Sequence, residues 1–213
     1  MAYFPLMIDL TNKKCVIGGG GHVAYRKAAS ILKFGCMVTV AAPDICRELM
    51  ELKDTYGDNL ELLTEKISIK HIENADMVIM STDDGSVNKE IADYCRNNRI
   101  PVNVVDVKEE SSFIFPAIYR QDDVTMAVST GGNSPLLAAH IRDNIKESVY
   151  PDYGILAKKL GEIRDYVIEN TEPYERKRVF EELVLLGKNN IDDINKDNVL
   201  VIINKGRNSY GSN

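Results

Sequence analysis

Residues 14–34 join a short apolar run, Lys14 to Ile17, to four consecutive glycines, Gly18 to Gly21, and then to a stretch with helical periodicity. In that stretch the apolar positions Val23, Ala24, Ala28, Ile31 and Leu32 fall on one helical face. A buried strand that turns through glycine into a helix is the opening unit of a parallel α/β sheet. Within it, Gly19-x-Gly21-x-x-Ala24 fits a pattern with three separate physical demands. One glycine permits the tight turn, the next lets backbone approach a pyrophosphate, and a small third residue lets helix and sheet pack closely. The N–H groups at the helix start would face the phosphates. A glycine run alone also fits an ordinary structural turn; the order of elements around this one favours a dinucleotide site. Its candidate binding residues are Gly19, Gly20, Gly21, His22 and Val23.

Gly35 closes the first helix, and Met37–Ala41 reads as the second parallel strand. An acidic residue usually ends that strand and holds the ribose hydroxyls, but this chain reads Val40-Ala41-Ala42-Pro43-Asp44. Asp44 is the candidate for that role, with an equally good reading as N-cap of a helix starting near Ile45. No arginine stands there to meet a 2′-phosphate, which favours NAD over NADP.

Further strands are expected at Leu60–Thr64, Met77–Ser81 and Pro101–Val105, separated by helical stretches. Such strands, apolar with little alternation, belong to a sheet covered on both faces. Ligands of these sheets bind beyond the carboxyl ends of the strands, where strand order reverses. That rule selects the loops at Gly18–Val23, Ser81–Gly85 and Asp106–Lys108. Thr82 and Asp83 are candidates for ribose or nicotinamide contacts, whereas Asp84 and Ser86 suit helix capping and Asn88 suits either role. Asp106 could accept a proton near the nicotinamide or simply cap the next turn.

Beyond Lys108, Ser112–Tyr119 and Val124–Ser129 read as an antiparallel hairpin around a polar turn. Ser134 and Pro135 then open a helix that runs toward Pro151. Two amphipathic segments follow between Gly154 and Leu186, divided near Thr171-Glu172-Pro173. The run Val199–Ile203 is expected to be a small strand in a polar tail. The fold class expected is α/β: a Rossmann-type parallel sheet, a small α+β dimerisation region and a helical C-terminal domain. The corresponding domains are 1–112 for NAD binding, 113–150 for dimerisation and substrate, and 151–213 for the helices and tail.

The 213 residues are 44% apolar, enough for an ordinary domain core and an appendage, and the net charge of −6 argues against nucleic acid as a partner. Apolar runs are far shorter than the roughly 20 residues needed to cross a bilayer. No secretion signal is recognisable either, so a cytoplasmic location without membrane association is expected. Cys15, Cys36, Cys46 and Cys95 are scattered without zinc-site spacing, and no metal ligands are assigned. Cys15 and Cys36 are expected in the core, His71 on an exposed helix surface, and Arg26 and Lys27 as packing or solubilising residues of the first helix.

Taken in order, these landmarks resemble the precorrin-2 dehydrogenases, including the dehydrogenase–ferrochelatase portion of siroheme synthases. The resemblance rests on Phe4-Pro5-Leu6, Gly19–Lys27, Ser81–Asp84, Asn103–Asp106, Ser112–Ala117 and Val128–Pro135, and covers about the first 150 residues. It implies NAD-dependent oxidation of precorrin-2 to sirohydrochlorin by a homodimer, with ferrous iron as a second substrate in some members. It also implies a catalytic role for Asp106, while Thr130 stands where serine is frequent. A macrocycle bearing many carboxylates needs local cations, for which Lys108, Arg120 and Arg142 are candidates. Thr130 and His140 complete the substrate-binding candidates. The competing reading is a non-catalytic NAD-sensing module, which needs neither Asp106 nor a surface for a polyanion.

Overall fold

A computed structural model describes residues 3–149 and 151–210. The chain divides into two compact units, the first ending at Phe115 and the second starting at Pro116. In the first, β1 (Lys14–Gly18), β2 (Met37–Ala41), β3 (Leu60–Leu63), β4 (Met77–Met80) and β5 (Val102–Val104) form one parallel sheet. Its order is β3-β2-β1-β4-β5, so strand order reverses between β1 and β4.

The absence of alternation in the strands is explained by burial on both faces. Cys15 and Ile17 of β1 pack with Val38, Val40 and Ile79 beneath α1 (His22–Leu32) and α2 (Arg47–Tyr56). Val16 points the other way, into a cluster with Val78, Met80, Val102 and Val104 under α3 (Ile69–Ile72) and α4 (Gly85–Asn97). Cys15 and Cys36 are core residues, as expected. Gly35, at φ +73°, takes the left-handed turn after α1 that a side chain would strain.

His71 departs from expectation. Its side chain is only 6% exposed, with Nδ1 2.9 Å from the Ser68 backbone N–H and Nε2 3.3 Å from a Glu65 carboxylate oxygen. The four-residue α3 inserts Ile72 into the core, and its capping box with Ser68 draws the imidazole in with it.

The hairpin also starts later than the apolar pattern indicates. Residues 111–113 lie along β5 instead: the Ser112 N–H donates to Val102 O at 2.8 Å, and Ser111 and Ser112 hydroxyls accept from the Val104 and Val102 N–H groups at 2.9 Å. Buried Asn103 donates its side-chain amide to Phe113 O at 3.0 Å. An apolar stretch with two serines thus satisfies the open edge of β5, which an extended hairpin would have left unpaired.

In the second unit, β6 (Ala117–Gln121) and β7 (Val124–Val128) form the antiparallel hairpin, turning through Asp122 and Asp123. Helix α5 (Pro135–Ser148) starts on Ser134, whose hydroxyl accepts from the Leu137 N–H at 3.2 Å. Helices α6 (Tyr153–Asn170), α7 (Pro173–Asn189) and α8 (Lys196–Tyr210) enclose a second core around Leu156, Val167, Val179, Leu183 and Ile203. The expected strand at Val199–Ile203 is therefore helix. Val199, Ile202 and Ile203 are buried at spacings of three and four, while Leu200 and Val201 face outward. The architecture is α/β with a Rossmann-type sheet, a small antiparallel element and a helical C-terminal region.

Glu175 ties α7 to α8. Its buried carboxylate takes two hydrogen bonds from Arg207, each 3.0 Å, and one from the Glu172 N–H. The Arg207 hydrogen bond, then the backbone bond, lower its pKa to about 2. A carboxyl group whose folded pKa lies below its unfolded value of about 4.3 adds stability above that value. This contribution is lost as pH falls toward about 2. In acid titrations followed by circular dichroism, Glu175→Gln is expected to be less stable than the parent at pH 7 and to converge with it below pH 3. Parallel curves over the whole range would exclude this linkage.

Candidate functional site

The strand register aligns Gly18 with Met80 of β4, and Met80 with Val104 of β5. Neighbouring strands are about 4.8 Å apart, so the loops after β1, β4 and β5 emerge side by side within about 10 Å. The loops after β1 and β4 flank the switch point of the sheet, and the loop after β5 lies next to that of β4.

The glycine loop is fixed from two sides. Gly19, at φ +115°, donates to Ala41 O at 3.1 Å, and the Ser81 N–H donates to Gly18 O at 2.8 Å. Gly20 O accepts from the Cys46 N–H at 2.8 Å, and the space where its Cβ would stand is filled by the Asp44 carbonyl. Gly21 differs from both: it has ordinary φ of −87°, and a Cβ there would meet nothing within 4 Å. It is the N-cap of α1, and no side chain caps that helix. The first α1 N–H groups, His22 and Val23 among them, are without intrahelical acceptors and open onto this free space. Backbone donors at an uncapped helix start, with room in front of them, fit the pyrophosphate of a dinucleotide.

Among the other nucleotide candidates, exposed His22 has Nδ1 3.3 Å from a Glu48 carboxylate oxygen. Asp44 is exposed beyond β2 and is not the cap of α2, which starts at Arg47 after Cys46. Its carbonyl contact with Gly20 draws the β2 loop against the glycine turn and leaves the helix start two residues later. Thr82 donates its hydroxyl to Asn88 Oδ1 at 2.7 Å, and Asn88 Nδ2 donates to Thr82 O at 2.8 Å. Asn88 thus shapes the loop. Asp83 is exposed at its tip, while Asp84 caps α4 through the Ser86 and Val87 N–H groups. The Ser86 hydroxyl, then Lys66, holds the Asp84 carboxyl far below its usual range.

Asp106 is exposed at the carboxyl end of β5, in the left-handed region at φ +63°. The following 3₁₀ turn, Lys108–Glu110, has no side-chain cap, so the capping alternative for Asp106 is not realised. Lys108 is half-buried with its ammonium 6.0 Å from the Tyr3 ring centre. A residue that sequence reasoning placed in a packing or solubility role, Lys27 of α1, has its ammonium 3.8 Å from the Phe115 ring centre and within electrostatic reach of Asp106. The available signal was its position three residues after Ala24 and one before Ala28, at the edge of the buried helix face.

The other substrate candidates belong to the second unit. Arg120 Nε donates to Asp122 O at 2.9 Å, and Arg142 makes two 2.9 Å hydrogen bonds to Asp143. The Thr130 hydroxyl donates to Ser134 O at 2.9 Å, and exposed His140 lies 3.2 Å from the Asn144 side-chain nitrogen. An open cavity of about 510 Å³, lined in part by Lys14, Thr39, Lys53, Glu61 and Lys70, holds none of these candidates. No helix among the described residues is long and apolar enough to cross a membrane.

A switch-point glycine loop before an uncapped helix defines a dinucleotide-binding protein of Rossmann type. The NAD(P)-binding family model matches residues 6–117, and the model described as sirohaem biosynthesis protein central matches residues 121–148. The chain belongs to this NAD(P)-binding family, in the company of the siroheme synthases. That of Nitrosospira multiformis is 38% identical over 199 residues, covering 88% of this chain and 42% of the relative. That of Methylococcus capsulatus is 37% identical over 187 residues, covering 88% and 39%. The chain thus spans about two fifths of the length of these curated relatives. In fold it is similar to a solved structure, SirC, precorrin-2 dehydrogenase, with a TM-score of 0.77 at 22% identity over 95% of this chain and all of that one.

Proposed function

We propose that this chain catalyses the NAD-dependent oxidation of precorrin-2 to sirohydrochlorin in siroheme biosynthesis. The observation that carries this reading is that a dinucleotide-binding unit and a sirohaem-type central segment occur in one chain, in that order. An exposed carboxylate at the end of β5 supplies the group that a sensing module would not need.

NAD, when bound, supplies the acceptor for a hydride leaving the substrate. The uncapped start of α1 holds the pyrophosphate, with Gly19 and Gly20 keeping the turn tight and Gly21 giving access. Asp44, Thr82 and Asp83 are assigned to the ribose and nicotinamide portions. No arginine stands at the end of β2 to meet a 2′-phosphate, which favours NAD over NADP. Asp106 accepts the proton released as the substrate loses its hydride, so that one hydride and one proton, two hydrogens in all, leave the macrocycle. Lys108, Arg120, Thr130, His140 and Arg142 are assigned to the tetrapyrrole.

The proposal divides the chain into an NAD-binding region 1–112, a dimerisation and substrate region 113–150, and a helical region 151–213. It places a homodimer in the cytoplasm, with ferrous iron as a second substrate for insertion into sirohydrochlorin. The deciding experiment mixes purified protein with precorrin-2 and NAD and records NADH and sirohydrochlorin absorbance together. Both signals are expected to rise in equal amounts. Folded protein that binds NAD and yields neither would favour the sensing module. A parallel reaction of sirohydrochlorin with ferrous iron, with and without protein, tests insertion.

A further inference from the structure

We infer that Lys27 is a substrate-binding residue that receives a peripheral carboxylate of the tetrapyrrole beside Asp106, an assignment that rests on the function proposed above. Lys27 lies on the second turn of α1, roughly 7.5 Å along the axis from His22 at 1.5 Å per residue. Ala24 and Ala28 bury the adjacent positions of that face, so the lysine stem runs along the core edge. Its ammonium meets the Phe115 ring at 3.8 Å. Phe115 packs with Phe113 at 5.4 Å between ring centres, and Asn103 holds the Phe113 carbonyl. The cation is thus carried on an aromatic support tied to β5, the strand that also presents Asp106.

The surroundings do not neutralise this cation. Among the described residues no carboxylate oxygen lies within ion-pairing distance of Lys27, whereas Arg142, proposed for the substrate in the second unit, is paired with the Asp143 carboxylate. Burial, then the neighbouring Arg26, lower the Lys27 pKa to about 8, against the opposing influence of Asp106. Arg26 on its own helix and Asp106 after β5 are the charged groups acting on it. A partly desolvated ammonium held over an aromatic ring gains more from an incoming carboxylate than a solvated surface lysine does. The same contact offsets the repulsion that a polycarboxylate meets next to Asp106. The pyrophosphate is met instead by α1 backbone groups at the helix start, one turn away.

The test titrates sirohydrochlorin, which keeps the peripheral carboxylates and absorbs visible light, into NAD-saturated protein. Lys27→Met retains the apolar stem and removes the charge. It is expected to weaken sirohydrochlorin binding by about 10-fold to 100-fold at pH 7, the range for a charge-assisted hydrogen bond, with NAD affinity unchanged. Parent affinity should fall between pH 7 and 9 as the ammonium loses its proton, whereas Lys27→Arg should bind with a flat profile across that range. Equal binding by parent and Lys27→Met, or loss of NAD affinity instead, overturns the assignment. So does a fall in Lys27→Arg affinity between pH 7 and 9 equal to the parent's, which reports on the site even where the methionine variant is poorly folded. A parent protein that binds NAD and no sirohydrochlorin removes the proposed function itself along with the assignment.

Discussion

Asp106→Asn is expected to slow reduction of NAD by precorrin-2 by about 10²-fold to 10⁴-fold, the usual contribution of a positioned general base. Asparagine is the informative replacement because Asp106 occupies the left-handed backbone region at φ +63°, which asparagine tolerates well. The turn after β5 should therefore persist, with the Val105 N–H still donating to Met80 O and the Val107 N–H to Val104 O. NAD affinity and the thermal midpoint should remain near those of the parent. Asp106→Ala confounds two effects, since a Cβ without a local polar partner in that region costs roughly 1–2 kcal/mol. Steady-state turnover together with NAD titration makes the distinction. Near-parental turnover in Asp106→Asn removes this carboxylate from the mechanism, whereas slow turnover with weakened NAD binding assigns it to the cofactor.

The sheet and its switch point were readable because they depend on local pattern. Continuous apolar runs mark strands covered on both faces, and a glycine turn into a helix marks the site end of β1. Asp106 was readable for the same reason, being the first acidic residue after such a run. Lys27 was not, because its environment comes from Phe115, 88 positions further along the chain, which reaches α1 only when residues 111–113 line β5. That edge pairing depends on serine hydroxyls substituting for a ladder, and strand propensity carries no mark of it. Val199–Ile203 misleads in a different way. A run of five apolar residues fits a strand and a buried helix face equally, and packing against α6 and α7 decides for the helix. His71 was misplaced because a four-residue helix has too little length for its buried side to appear as a period.

The glycine loop carries the second large effect, and two substitutions separate its parts. Gly19 combines φ of +115° with close packing: a Cβ would lie 2.7 Å from the Ser81 carbonyl oxygen. Relief requires moving either the turn or the end of β4, and both are fixed by the hydrogen bond from Ser81 N–H to Gly18 O. Gly19→Ala should lose roughly 2–4 kcal/mol of stability, or about 5–15 °C in Tm, together with NAD binding. Gly21→Ser should behave in the opposite way toward the fold. The position has N-cap geometry, at φ −87° and ψ −171°, with free space around it, so a serine hydroxyl can accept from the first turn of α1. Stability should hold or rise by a few tenths of a kcal/mol. The same hydroxyl occupies the backbone donors assigned to the pyrophosphate and fills the space before them, so NAD should bind at least about tenfold more weakly. Thermal melts and NAD titrations of the two variants give four numbers, and the reading requires Gly21→Ser to lose affinity without losing stability. Undiminished affinity in Gly21→Ser would move the phosphates away from α1, and with them the placement of the nicotinamide at Asp106.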